Sequence, residues 1–196
     1  MPACGAIPGL FFCLAGTVLL VFVCVSVPTW DSIYFMEIGR GVQAIRFGTF
    51  GFTGSETHVG YEGLELARMG LRDNSVIDSD RIENLSKALI IHPIAAGFGG
   101  LTVLFGLCGS AYHRSGTIMM TISAVIAALL ALIAWVIDMV LFGAFFAQFR
   151  DADIPTKWGN APWLSLGATV AFIIAAVMSC CGIFGSYRKE RRAATY

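Results

Sequence analysis

The fold class this sequence predicts is an all-α membrane protein: four transmembrane helices in one bundle, with a small extracellular β-sheet in the first outer loop. Three observations predict it. Four long apolar runs occupy about residues 10–27, 89–112, 118–146 and 163–187, each at or near the roughly 20 residues needed to cross about 30 Å of hydrocarbon. The composition is 57% hydrophobic and 13% charged, with mean hydropathy +0.75, too apolar for a chain whose whole exterior meets water. Between the first two runs lies a stretch of aromatic and β-branched residues broken by glycines, the pattern of short strands and turns. A helix satisfies its own backbone hydrogen bonds in lipid and an open sheet does not, so the runs are helices and the sheet belongs to the loop. The 196 residues form a single membrane domain.

The first run ends at Ser26-Val27-Pro28 but has no basic segment before it and no small-x-small cleavage site after it, so it is expected to be a retained helix and not a cleaved leader. Orientation follows from the tail, residues 188–196, where Arg188, Lys189, Arg191 and Arg192 crowd beside a helix end. That end is expected to be cytoplasmic. Four crossings then place both termini inside and put 28–88 and 148–162 outside. The long loop holds six basic and nine acidic residues, and at about 60 residues it is near the length at which translocation ignores loop charge.

Within that loop Trp30, Ile33, Tyr34, Phe35, Ile38, Val42, Ile45, Phe47, Phe50 and Phe52 are punctuated by Gly39, Gly41, Gly48 and Gly51. They predict a small antiparallel sheet seated on the bundle. Further on, Ile77, Ile82, Leu85 and Leu89 are spaced for one helical face between Ser75 and the second span. Asn84-Leu85-Ser86 is a glycosylation sequon, close to the bilayer. None of the six cysteines falls in an outer loop, so no loop disulfide is expected. Cys180 and Cys181, beside the basic tail, are the candidate palmitoylation sites, the alternative being small packing residues.

Asp138 is the one clear acid inside an apolar run, and an acid at a helix centre costs about 2.5–3.5 kcal/mol on insertion scales. It is expected to face the bundle interior. The third helix runs outward, so Asp138 falls in the outer half of the membrane, where His92-Pro93 opens the second helix and brings His92 within reach. The pair reads as an interhelical hydrogen bond that fixes register. The sharper alternative is a titrating pair that reports outside pH, since histidine changes charge near neutrality. Small residues at four-residue spacing, Gly167, Ala171, Ala175 and Ser179 in the fourth helix, and Ala96, Gly100, Gly106 and Ser110 in the second, predict close helix packing.

Thirteen basic residues balance thirteen acidic ones, so nothing favours nucleic acid. No paired carboxylates, metal-spaced Cys or His cluster, phosphate-binding glycine loop or activated nucleophile appears, and neither an enzyme nor a cofactor is expected. A small channel or proton-linked transporter around Asp138 lacks the polar pathway it would need.

Five segments together resemble the fungal PalI family: Ser26-Val27-Pro28; Arg46-Phe47-Gly48-Thr49-Phe50-Gly51-Phe52; His92-Pro93-Ile94-Ala95-Ala96-Gly97; Ile137-Asp138-Met139-Val140-Leu141-Phe142; and Ala161-Pro162-Trp163-Leu164-Ser165-Leu166. The resemblance implies a four-span, remotely claudin-like protein of the ambient-pH response or of eisosome-associated Sur-type relatives. Where members often carry a cysteine after the glycine-aromatic motif, this chain has Thr53-Gly54-Ser55, so a loop disulfide is not carried over. The implied function is that of a non-enzymatic plasma-membrane protein assisting another membrane protein, a pH-sensing receptor being one candidate partner. The alternative is a structural organiser of eisosome-like cortical domains or a claudin-like junction component. Membrane lipid and a second copy of the chain are further expected partners, and an internal membrane is the alternative location.

Overall fold

A computed structural model describes residues 6–39, 44–57, 60, 86–111, 114–151 and 154–193. The elements are helix α1 (Ala6–Cys24), strands β1 (Met36–Ile38) and β2 (Ile45–Phe47), a 3₁₀ turn (Ala88–Ile90), helices α2 (Ile91–Ala111) and α3 (Arg114–Asp151), strand β3 (Thr156–Trp158) and helix α4 (Ala161–Ala193). Three stretches are long and apolar enough to cross a membrane: Ala88–Gly109, Gly116–Ala147 and Ala161–Cys180. At 1.5 Å per residue the 19-residue α1 reaches about 28 Å. The protein is a multi-pass membrane protein, with four long helices and one small sheet among the described residues.

Each helix buries residues at alternating spacings of four and three. In α1 these are Gly9, Cys13, Gly16, Leu20 and Val23; in α3, Met120, Ala124, Ala127, Ala131, Ala134 and Asp138; in α4, Ala161, Ser165, Ala168, Phe172, Ala175 and Ser179. This is the 3.5-residue repeat of left-handed helix packing. The outward faces carry the large side chains, Phe11, Leu14 and Val18 on α1 and Ile122, Leu129 and Val136 on α3. Small residues inside and large ones outside suit a lipid solvent.

The chain divides into two compact units. The first, the helical unit, takes α1 as far as Leu20, Pro93–Leu132 and the chain from Leu166. Its interior is Ala95, Ala127, Ala128, Ala131 and Ala168 around Phe172 and Leu20, and Cys13, Met120, Ala124 and Ala175 form a second cluster. Hydroxyls turn inward to carbonyls: Thr17 donates to Cys13 at 2.7 Å and Thr102 to Phe98 at 2.8 Å. With the Thr102 proton so used, Ser123 is the donor in their 2.6 Å contact.

The second, the sheet-bearing unit, takes Val21–His92 and Ile133–Ser165. Its sheet is antiparallel in the order β2-β1-β3, with Glu37 of β1 opposite Arg46 on one side and Lys157 on the other. Opposite charges flanking a central acid favour this register, and Arg46 Nε lies 2.8 Å from a Glu37 carboxylate oxygen. That bond raises the Arg46 pKa above its ordinary value. Met36 and Ile38 point the other way, into a core of Phe35, Phe47, Phe142, Phe145 and Phe149 with Leu141, Leu89 and Val23. Phe35 stacks on Phe142 at 4.7 Å and 9°, and Phe146 on Trp158 at 5.4 Å.

Several details differ from the sequence expectation. The sheet was expected from residues 28–52 alone, yet its third strand comes from the loop before α4. The first helix stops at Cys24 and not Val27, because the backbone N–H of Val27 turns to the Ile33 carbonyl. Helices α3 and α4 run past the apolar stretches that announced them. Asn84, and all but the last two residues of the amphipathic stretch 75–87, lie outside the described residues.

Candidate functional site

The most unusual chemistry is in the sheet-bearing unit, where α2 begins. Pro93 has no backbone N–H, so the Leu89 carbonyl, which accepts a backbone N–H at the end of the 3₁₀ turn, lacks the second donor a helix would supply four residues on. The His92 ring takes that place: its Nδ1 lies 3.1 Å from the Leu89 carbonyl oxygen. This leaves Nε2 facing Asp138, 3.1 Å from Oδ2, and both side chains are 0% exposed. Ser165, in the first turns of α4, places its Oγ 3.5 Å from Nε2. Among the described residues Asp138 Oδ1 has no partner. The Phe35 ring meets the imidazole edge to face at 6.0 Å, so the sheet lies against the pair.

These contacts fix a proton count. A carbonyl oxygen only accepts, so Nδ1 keeps its hydrogen, and the contact of Nε2 with Oδ2 needs a second one on the ring or on the carboxyl. The closed site therefore holds one proton more than a neutral imidazole beside a carboxylate, and is neutral as a whole. Removing that proton turns a lone pair toward either the carboxylate or the carbonyl and leaves a net charge without water, each of which is costly.

The glycine-aromatic loop residues Phe47, Gly48, Phe50, Gly51 and Phe52 meet the end of α1. Thr49 donates its hydroxyl hydrogen to the Val23 carbonyl at 2.8 Å, and its N–H to Ser26 Oγ at 2.9 Å, all buried. Val23 belongs to the last turn of α1; its carbonyl accepts the Ser26 N–H at 3.2 Å as well as the Thr49 hydroxyl, so the loop adds a second donor to the helix end from outside the helix. Gly48 lies against Val27 so closely that a methyl group there would overlap the Val27 carbonyl. Gly51, at φ +149°, holds a backbone conformation side chains disfavour, and its carbonyl accepts from the Gly48 N–H at 2.8 Å. Phe47 and Phe52 pack on one another at 6.1 Å, and Phe50 is half-buried.

Three of the five resembling segments, Ser26–Pro28, Arg46–Phe52 and Ile137–Phe142, lie wholly in this unit, and His92 and residues 161–165 join them. A model of the SUR7/PalI family matches residues 5–180. The chain belongs to the SUR7/PalI family. It is 27% identical to a pH-response regulator protein palI/RIM9 of Emericella nidulans, over 89% of this chain and 31% of that one. It is 30% identical to a protein of the same description from Yarrowia lipolytica, over 79% of this chain and 20% of that one. The chain thus spans about a third or less of the curated relatives it matches.

Other site residues fall as follows. Ala171, Ala175 and Ser179 are buried in the helical unit, whereas Gly167 is half-buried, and a methyl group there would only touch Leu19 at 3.5 Å. In α2 the buried face passes through Ala95, Gly99, Thr102 and Gly106, so Gly99 and not Gly100 marks the close approach. Cys180 is half-buried with a free thiol, and Cys181 follows it in α4. Sequence reasoning passed over Ser165, Thr49 and Ser26 as site residues, although each sits inside a resembling segment.

Proposed function

We propose that this SUR7/PalI member is a non-enzymatic accessory protein of the plasma membrane that assists another membrane protein, a receptor of ambient pH, with both termini in the cytoplasm. The observation that carries the reading is the match of most of this chain to two proteins named as pH-response regulators. The basic cluster from Arg188 to Arg192 supports the orientation. The sheet, tied to the helices through Thr49 and the phenylalanine core, is the surface offered to the partner outside the membrane.

Deletion of the gene in its own host tests this. The expected result is sensitivity to alkaline medium with loss of the receptor from the cell surface, both restored by the intact chain. Normal growth at alkaline pH with scattered cortical domains would replace this reading with that of a lateral organiser of eisosome-like patches.

A further inference from the structure

We infer that His92 and Asp138 form a proton-retaining latch: closed at neutral and mildly acidic pH, and loosened as the pH rises above the ordinary range of histidine. The latch rests on the pH-response reading for its biological use, while its proton count rests on geometry alone.

The closed site holds its extra proton between Nε2 and Oδ2, with neither side chain exposed. The Leu89 carbonyl faces it from the helix start, the Ser165 hydroxyl from α4 and the Phe35 ring from just before β1, backed by Phe142 of α3. Among the described residues His92 is the ion-pair partner of the Asp138 carboxyl. Among the described residues no second acid or base pairs with either side chain.

Opening the site to water changes the count. A hydrated histidine releases its proton near pH ~6.5 and a hydrated aspartate near ~3.9. Between those values the open site also carries one extra proton, as imidazolium beside carboxylate, and opening is indifferent to pH. Above ~6.5 the open site carries none, so each opening releases a proton and becomes up to about tenfold more favourable per pH unit. The stability the latch contributes is therefore fully present below the ordinary histidine value and is lost as the pH rises beyond it. That is the direction an alkaline response requires.

Asp138→Asn should reverse the dependence. The amide N–H can donate to Nε2 without any extra proton, so the closed variant holds a neutral histidine. Its opening is indifferent to pH above ~6.5 and is driven by proton uptake below it.

Reversible unfolding of the full chain in mixed micelles, followed between about pH 5 and pH 9 in wild type and Asp138→Asn, tests this. The expected result is a stability that falls with rising pH in wild type and with falling pH in the variant, each profile bending near the histidine value. Parallel profiles would overturn the latch. Should the variant not fold, ¹⁵N-histidine and ¹³C-aspartate spectra of wild type at about pH 8 decide, with His92 assigned by its loss in His92→Gln. A doubly protonated His92 ring, or a protonated Asp138 carboxyl, is expected. A neutral ring beside an ionised carboxylate overturns the inference. Both measurements use the isolated protein, so their failure leaves the accessory role intact, and the failure of the deletion test leaves the latch intact.

Discussion

The helical unit and the sheet-bearing unit keep their interiors dry by opposite means. In the first, alanines and glycines let backbones come close, and hydroxyls are spent on carbonyls a turn away or on each other. In the second, stacked phenylalanines fill a wider space, and among them sit a histidine and an aspartate with no exposure at all. In lipid the apolar exterior gives helices no reason to associate, so close packing must hold the first unit together. Once the strands and loop add backbone and side chains, the second can bury volume as a soluble core does. Only this second kind of interior shields an ionisable pair and still connects it to a surface outside the helices.

Substitutions separate the two kinds of interior. Phe142→Ala should have the largest effect, since it removes the ring on which Phe35 stacks beside His92; a loss of about 3–5 kcal/mol is expected for a buried phenylalanine. Unfolding in mixed micelles measures it. Gly99→Val should cost about 1–3 kcal/mol by overpacking, because even a methyl group there would press on Thr17 and Phe172. Thr49→Val removes the hydroxyl donor to the Val23 carbonyl, which keeps the Ser26 N–H, and should cost about 0.5–1.5 kcal/mol, read as faster cleavage of the loop by protease on intact cells. Gly167→Ala should change stability by less than about 0.5 kcal/mol, since a methyl group meets only ordinary contact with Leu19.

The contrast also explains what the sequence could and could not say. Four apolar runs announce four helices because crossing lipid imposes a length, and Asp138 stands out because its neighbours are apolar. His92 could be paired with it because Pro93 marks the helix start and the topology puts both in the same half of the membrane. Strand β3 escaped notice because Thr156-Lys157-Trp158 is too short to show alternation between Pro155 and Gly159. Of the small-residue stripes, Ala171, Ala175, Ser179 and Gly106 lie buried, and Gly167 and Gly100 fall off the buried face for a geometric reason. A strict four-residue step advances 400° on a helix turning 100° per residue, so Gly167 has drifted off the face on which Ala175 and Ser179 lie. Ser165 and Thr49 gave no signal of their own, since hydroxyls inside or beside spans are common and only the fold reveals which carbonyl or carboxyl they meet.

The most direct test of the claim that pH response resides in the sheet-bearing unit is complementation of the deletion strain at alkaline pH with two conservative variants, Asp138→Asn in that unit and Thr102→Val in the helical one. Asp138→Asn keeps a hydrogen bond to His92 and Thr102→Val loses one to Ser123, worth about 0.6 kcal/mol on average in membranes, so the abundance of both should stay near that of the intact chain. Asp138→Asn is expected to reach the membrane yet leave the cells alkaline-sensitive, while Thr102→Val restores growth. Restored growth with Asp138→Asn at normal abundance, or equal failure of both variants, would contradict it.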